Sequence, residues 1–361
     1  MERQYYLKLA QDGLRLPIAA DLVLHEYADP QAILANGSQL GMVLEQTANR
    51  YRSPLALPHM NLELEKIALL GMLGIPAAEA HTYHFDACPG QETFTKLQQH
   101  LQDPLPVQLQ AHIDSTRYIA HHTRLVPVGM AIGPFSLMTK LVSDPITPIA
   151  MAGSGVSAEE DEEIRTVEAV LELGIRIILH SIAAQVKAGA KAIFIAEPAA
   201  NTVFLSPNQI ADGADIFDRY VMSYNRQLKA FLDEHDVDLF FHCCGELNEY
   251  MLRKFCTLDP AILSLGNSRV LWEDAAIVPK DIVLFGNLPS KQFYSDNVIT
   301  AAEVARRAEE LVRNMHAANH PFILGTECDV LSVPGCERAI GCKIKALLEA
   351  GKQQTAAALY N

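Results

Sequence analysis

The sequence predicts an α/β protein, a closed (β/α)8 barrel of the TIM type with an N-terminal helical elaboration. The first observation behind this is rhythm: apolar runs of strand length recur, each ended by Gly, Pro or a polar cluster and followed by helical periodicity. The second is number, since eight such runs can be marked, and parallel strands joined by right-handed crossovers close on themselves at eight. The third is an exclusion. No Gly-x-Gly-x-x-Gly follows any of the runs, so an open dinucleotide-binding sheet is disfavoured.

In chain order the expected strands are Ile18–Leu24, Leu55–His59, Val126–Gly133, Ala192–Glu197, Asp238–Cys244, Ile262–Leu265, Ile282–Gly286 and Phe322–Cys328. Between 62 and 124 the pattern is helix, irregular stretch, helix, with Gly74-Ile75-Pro76 and Asp86–Gly90 as breakers, and this segment is expected to be an elaboration near the barrel mouth. Met151–Ser157 (MAGSGVS) is expected as a loop. Ser157 with Glu160 has the spacing of a capping box ahead of a long helical run to Gly189, and the acidic cluster Glu159–Glu163 complements the helix dipole there. In the second half Phe217–Glu234, Leu247–Phe255, Thr300–Ala318 and Glu337–Ala350 all carry amphipathic helical spacing. With no repeat and no Pro-rich linker, residues 1–361 are expected to form a single barrel domain.

Composition narrows the function. With 29 Lys and Arg against 43 Asp and Glu, the net charge of −14 disfavours a nucleic-acid binder that works by bulk charge. The start MERQYYLKLAQ lacks a basic-then-apolar leader and no run of 18 apolar residues occurs, so a cytoplasmic protein with no membrane partner is expected. Seven scattered cysteines in a chain of this size read as free thiols or metal ligands rather than a disulfide framework.

Barrel chemistry sits at the carboxyl ends of the strands. The run DLFFHCCG ends in His242, Cys243 and Cys244; alternation puts His242 and Cys244 on one face and Cys243 on the other. The last run, FILGTECD, brings Cys328 to the same rim. One imidazole and two thiols form a soft set that suits Zn²⁺ with a fourth position open, although two buried cysteines and a hydrogen-bonded histidine would also account for them. Glu197, ending FIAE, is a candidate catalytic acid or fourth ligand, and Asn201 and Asn287 are candidates for substrate binding through their amides, each against a plain turn role. His25 and Glu327 also fall at strand ends. Cys88, Cys256, Cys336 and Cys342 are read as small hydrophobes.

The pieces HCCGE at 242–246, FGNLP at 285–289 and LGTECDV at 324–330 resemble, in order and spacing, the uroporphyrinogen decarboxylase superfamily. Within it they are similar to its corrinoid-dependent branch, the methylcobamide:coenzyme M methyltransferases. The resemblance implies that His242, Cys244 and Cys328 ligate zinc, and that a corrinoid, cobalamin on a separate carrier protein, exchanges a methyl group with a small acceptor such as a thiol or tetrahydrofolate. It departs from the decarboxylases: the stretch IAADLVLHEYA has no arginine to grip substrate carboxylates, PHMNLELE offers Asn61 where an acidic residue would stand, and Cys328 occupies the neighbourhood of a C-terminal histidine. The alternatives are a decarboxylase-like lyase and a tetrapyrrole- or corrinoid-binding barrel with a structural metal. Homo-oligomerisation is compatible with either.

Overall fold

The computed structural model of the chain describes residues 3–350. Eight parallel strands, β1 (Arg15–Ile18), β2 (Leu55–Ala56), β3 (Val126–Ile132), β4 (Ala192–Ala196), β5 (Asp238–Cys243), β6 (Ile262–Leu265), β7 (Val283–Leu288) and β8 (Phe322–Asp329), run in the order β1-β8-β7-β6-β5-β4-β3-β2. Placing the last strand beside the first is the arrangement of a barrel, and the curled sheet ringed by helices is a (β/α)8 fold. Among the described residues no ladder joins β1 to β2.

Alternation along the strands divides the core in two. Phe194, Phe240, Val283, Phe285 and Ile323 pack inside the barrel, while Ile193, Ile195, Leu239 and Phe241 pack outward against the helices. The helix Arg3–Gln11 closes the amino end of the strands: buried Tyr6 stacks edge-on to Phe240 at 5.1 Å and donates its hydroxyl to Asp238 Oδ2 at 2.8 Å. A leader-like reading of the first residues looks for charge and misses this plug.

Several expected boundaries move for physical reasons. The first strand is Arg15–Ile18, and the run expected to continue it is instead the helix Ala20–Leu24, whose buried Ala20, Val23 and Leu24 have helical spacing. Pro17 is tolerated in β1 because that strand is paired on one side alone. Pro58 lies two residues beyond the end of β2, cutting the expected Leu55–His59 short. The expected Ile282–Gly286 is Val283–Leu288.

Met151–Ser157 is not wholly loop, because the helix Ile146–Gly153 covers its start. Ser157 does bond Glu160, its N and Oγ both donating to Oε2 at 2.9 and 2.8 Å, but this closes a turn ahead of the helix. The cap of the long helix Glu162–Lys187 is Asp161, which accepts from Ile164 N. Between 62 and 124 lie the helices Leu64–Met72, Ala77–Ala80, Gln91–His100 and Val107–His122. The expected 217–234 helix opens with a wide turn at Asp218–Met222 before the regular Ser223–Glu234.

Candidate metal centre

The strand β5 carries the first two members of the site. Phe240 points into the barrel and Phe241 and Cys243 point out, so His242 points in. Cys243 is fully buried on the outer side, its thiol 3.8 Å from Ala200 O. Cys244 follows at the strand end, where the backbone turns beside Gly266; a Cβ on that glycine would stand 2.6 Å from Cys244 O.

Cys328 reaches the same place by an irregularity. Strict alternation from Ile323, an interior residue, would turn Cys328 outward. The register between β1 and β8 breaks here, however, from Leu16↔Gly325 to Ile18↔Asp329. Such breaks re-aim side chains beside sites. The result is that ligand atoms of His242, Cys244 and Cys328 all lie within 4.8 Å of one another.

Their surroundings favour a ligating form. His242 is 1% exposed, its Nδ1 sits 2.8 Å from Ser264 Oγ, and its Nε2 is buried with no hydrogen-bond partner. Ser264 stands opposite His242 in the β5–β6 ladder, so the contact is built into the register. The two sulfurs share a proton unequally. A hydrogen bond with Cys328, helped by His242 and Lys291 and opposed by burial, holds Cys244 well below the ordinary thiol range. The same hydrogen bond, with burial and Asp329, pushes Cys328 up. Lys291 Nζ lies 3.6 Å from Cys244 Sγ; burial works against its charge, yet Cys244, Cys328 and Glu327 raise its pKa. Asp329 Oδ1 lies 3.1 Å from Cys328 Sγ on the other side.

Other expected residues take different places. Glu197 is fully buried, but its oxygens accept from Ser136 N at 2.6 Å, Phe135 N at 3.3 Å and Asn225 Nδ2 at 3.0 Å, which anchors the helix Pro134–Thr139. It is not among the converging ligand atoms. Burial raises its pKa, partly offset by Ser136 and Asn225. Asn201 closes its own turn, donating to Pro198 O at 2.7 Å and accepting from Val203 N at 2.8 Å. Asn287 Nδ2 donates to Gly266 O at 2.8 Å and Arg269 O at 2.9 Å, bracing the loop behind Cys244. Glu327 accepts from Asn267 N and Nδ2 on that same loop. His25 ends the helix Ala20–Leu24, with Nδ1 2.9 Å from Asp21 O.

Sequence reasoning missed Ser264, Lys291 and a carboxylate–imidazole pair at the ends of β1 and β2. Asp21 Oδ1 lies 3.2 Å from His59 Nε2 and Oδ2 accepts from Ser332 N at 2.7 Å. Asp21 is itself burdened by burial, but His59 and Ser332 N more than compensate and lower its pKa. A lone Ser inside the apolar AILSLG, one residue before the strand end, was the available signal for Ser264.

Fold and site together define a class: a (β/α)8 barrel with a soft His/Cys/Cys cluster at its carboxyl-end rim. The sequence profile of the uroporphyrinogen decarboxylase (URO-D) family matches residues 87–338, and the chain belongs to that family. Among solved structures, a methyltransferase from Methanosarcina mazei is similar with a TM-score of 0.67 at 17% identity over 98% of this chain and 99% of that one, which shows a shared fold. A B12-independent methionine synthase from Shewanella sp. W3-18-1 in complex with selenomethionine has a TM-score of 0.45 at 16% identity over 68% of this chain and 67% of that one. No curated protein matches the sequence. No helix among the described residues is long and apolar enough to cross a membrane.

Proposed function

We propose that the protein is a zinc-dependent methyltransferase that moves a methyl group between a corrinoid, presented by a carrier protein, and a small acceptor such as a thiol or tetrahydrofolate. One observation carries this reading: the unpartnered, buried Nε2 of His242 faces two sulfurs from a segment and a strand far apart in sequence. A buried imidazole nitrogen without a partner is costly unless something occupies it. A neutral imidazole and two thiolates suit zinc, and a set of three rather than four protein ligands among the described residues suits an open, catalytic site.

His242, Cys244 and Cys328 would hold the ion, which when bound supplies the Lewis acidity that keeps an acceptor sulfur as a thiolate near neutral pH. The chain's own residues do the rest. Ser264 fixes the imidazole with Nε2 toward the sulfurs, and second contacts of this kind tune the metal ligand. Lys291 places a cation beside Cys244. Asn287 and Glu327 hold the 266–269 loop against which Cys244 rests. Val203, Tyr294 and Leu331, exposed after β4, β7 and β8, give the rim apolar character suited to a docking carrier.

The test is metal analysis followed by turnover. The purified protein should carry one zinc per chain, lost in Cys244→Ala. It should also demethylate methylcobalamin in the presence of a thiol or of tetrahydrofolate, followed by the corrinoid spectrum. Full activity in Cys244→Ala would remove the mechanism.

A further inference from the structure

A cavity of about 850 Å³ lies apart from the metal cluster, beside the start of β1 and the residues that lead into β2. Its wall comes from the end of the first helix, the start of β1, the helix Ala20–Leu24, the end of the helix Gly37–Arg50 and the last helix, Glu337–Glu349. None of His242, Cys244 and Cys328 lines it.

The charges on this wall are unevenly satisfied. Arg50 is held by Glu26 through two hydrogen bonds, and Lys345 pairs with Glu349 at 3.9 Å. Arg15 is different. It is half-buried, its Nη1 donates to Leu348 O at 2.6 Å, and no carboxylate lies within 4 Å of it among the described residues. A guanidinium has five N–H donors, and one removed from water without an anion is expensive. Burial accordingly lowers its pKa. Arg52, on the same wall, makes no side-chain hydrogen bond or ion pair among the described residues. Its backbone is held at φ 53°, the left-handed position that closes the helix Gly37–Arg50, with Ser53 N donating to Ala48 O at 2.8 Å. Asp12 and Glu337 are the wall's carboxylates without a cation partner among the described residues; Glu337 is turned to its own helix start, accepting from Gly335 N. Leu9, Leu22, Ile344 and Leu348 supply apolar surface between the charges.

We propose that this cavity binds a small oxyanion-headed amphiphile, a carboxylate or phosphate ester with an apolar body, its head gripped by Arg15 and Arg52 and its body laid on the four aliphatic side chains. Planar guanidinium forks match carboxylate and phosphate oxygens, and a cavity of this size fits a ligand of roughly drug dimensions. The site is independent of the metal reading.

The probe is 8-anilinonaphthalene-1-sulfonate, followed by fluorescence on the full chain, with neutral N-phenyl-1-naphthylamine as its uncharged counterpart. The sulfonate dye should bind, should be displaced by octanoate or octyl phosphate but not by octanol, and should lose about tenfold or more in affinity in Arg15→Gln/Arg52→Gln while the neutral dye is unaffected. Whichever of the two anions displaces it at lower concentration identifies the head group. Arg52→Gly separates this from damage to the fold, because glycine accepts the left-handed backbone: its melting temperature should rise by about 2 °C while sulfonate binding falls. Cys244→Ala should bind the dye as the parent does. Equal affinity in the double variant, equal loss of both dyes, displacement by octanol or no binding at all would each overturn the proposal.

Discussion

Replacing Ser264 by Ala isolates how far the second contact of His242 governs the metal centre. The hydroxyl lies 2.8 Å from Nδ1, and both residues are 1% exposed, so no solvent can take its place without rearrangement. In the ligating tautomer the ring carries its proton on Nδ1 and donates it to Oγ, which leaves the Nε2 lone pair toward the sulfurs. Without Oγ a buried N–H loses its partner, a loss of about 1–3 kcal/mol, and the ring can recover part of it by moving the proton to Nε2, where it blocks the ligand position. Both routes weaken metal binding. The expected loss is about 10- to 100-fold in zinc affinity, or roughly 1.4–2.7 kcal/mol. Competition against a chromogenic chelator at fixed pH reads this directly, and thermal unfolding of the stripped protein shows whether the fold is intact. Ser264→Thr retains the hydroxyl and should recover most of the affinity. Zinc affinity in Ser264→Ala within twofold of the parent would refute the reasoning, as would equal losses in Ala and Thr.

Gly266→Ala should abolish zinc binding and lower the melting temperature, because its Cβ would meet Cys244 O at 2.6 Å and Cys244 C and Cα at 2.9 Å, backbone atoms that cannot swing away; retention of full zinc content would contradict this. Glu197→Gln puts an amide among the donors Ser136 N, Phe135 N and Asn225 Nδ2, and should destabilise by about 1–3 kcal/mol in urea unfolding while leaving zinc affinity intact. Loss of zinc without loss of stability would make it a member of the metal centre instead. Glu65 is fully buried, with Oε2 unpartnered, and burial raises its pKa from 4.5 to about 7, so the folded chain keeps a proton that the unfolded chain has shed and stability falls as pH climbs from about 4.5 through 7. Glu65→Gln should remove that slope and stabilise the protein at pH 8 by an amount on the order of 3 kcal/mol. It should also expose the opposite slope of His112, pushed down to about 3 by burial, whose contribution is lost as pH falls below 6.5; a urea midpoint at pH 8 unchanged by the substitution would count against the first, and a variant whose midpoint does not fall below pH 6.5 against the second.

Legibility followed the length scale of the interactions. Each expected strand overlaps or abuts an observed one because burial on both faces writes continuous apolar runs, as in Val126–Ile132 and Ala192–Ala196. The first strand was misplaced because IAADLVL is equally apolar as strand or helix, and what decides is the packing of Ala20, Val23 and Leu24 on one side, a tertiary fact. His242 and Cys244 could be paired from alternation alone. Cys328 could be assigned to the rim by its place at a strand end, but not its direction, since that depends on a register break between β1 and β8 that single-chain periodicity does not encode. Glu197 was legible as a strand-end carboxylate; the three donors that reach it from distant segments were not.

The same geometry explains why the ligands sit where they do. Between β5 and β8 stand β6 and β7, and each sends back a side chain or a loop: Ser264 from β6 to His242, the 266–269 loop after β6 to the back of Cys244, and Asn287 from β7 to that loop. Parallel register makes these contacts repeatable, since His242 faces Ser264 directly and Asn287 faces Gly325, three residues before Cys328. An imidazole and one sulfur held on strands, with the second sulfur one residue past a strand end, lose little freedom when they close around an ion, so less of the binding energy is spent on ordering them. A cluster of three neighbouring titratable groups with one nitrogen unpartnered is poorly satisfied by itself. The fold tolerates it because β5 and β8, buried along most of their length, fix the positions independently of what the cluster binds.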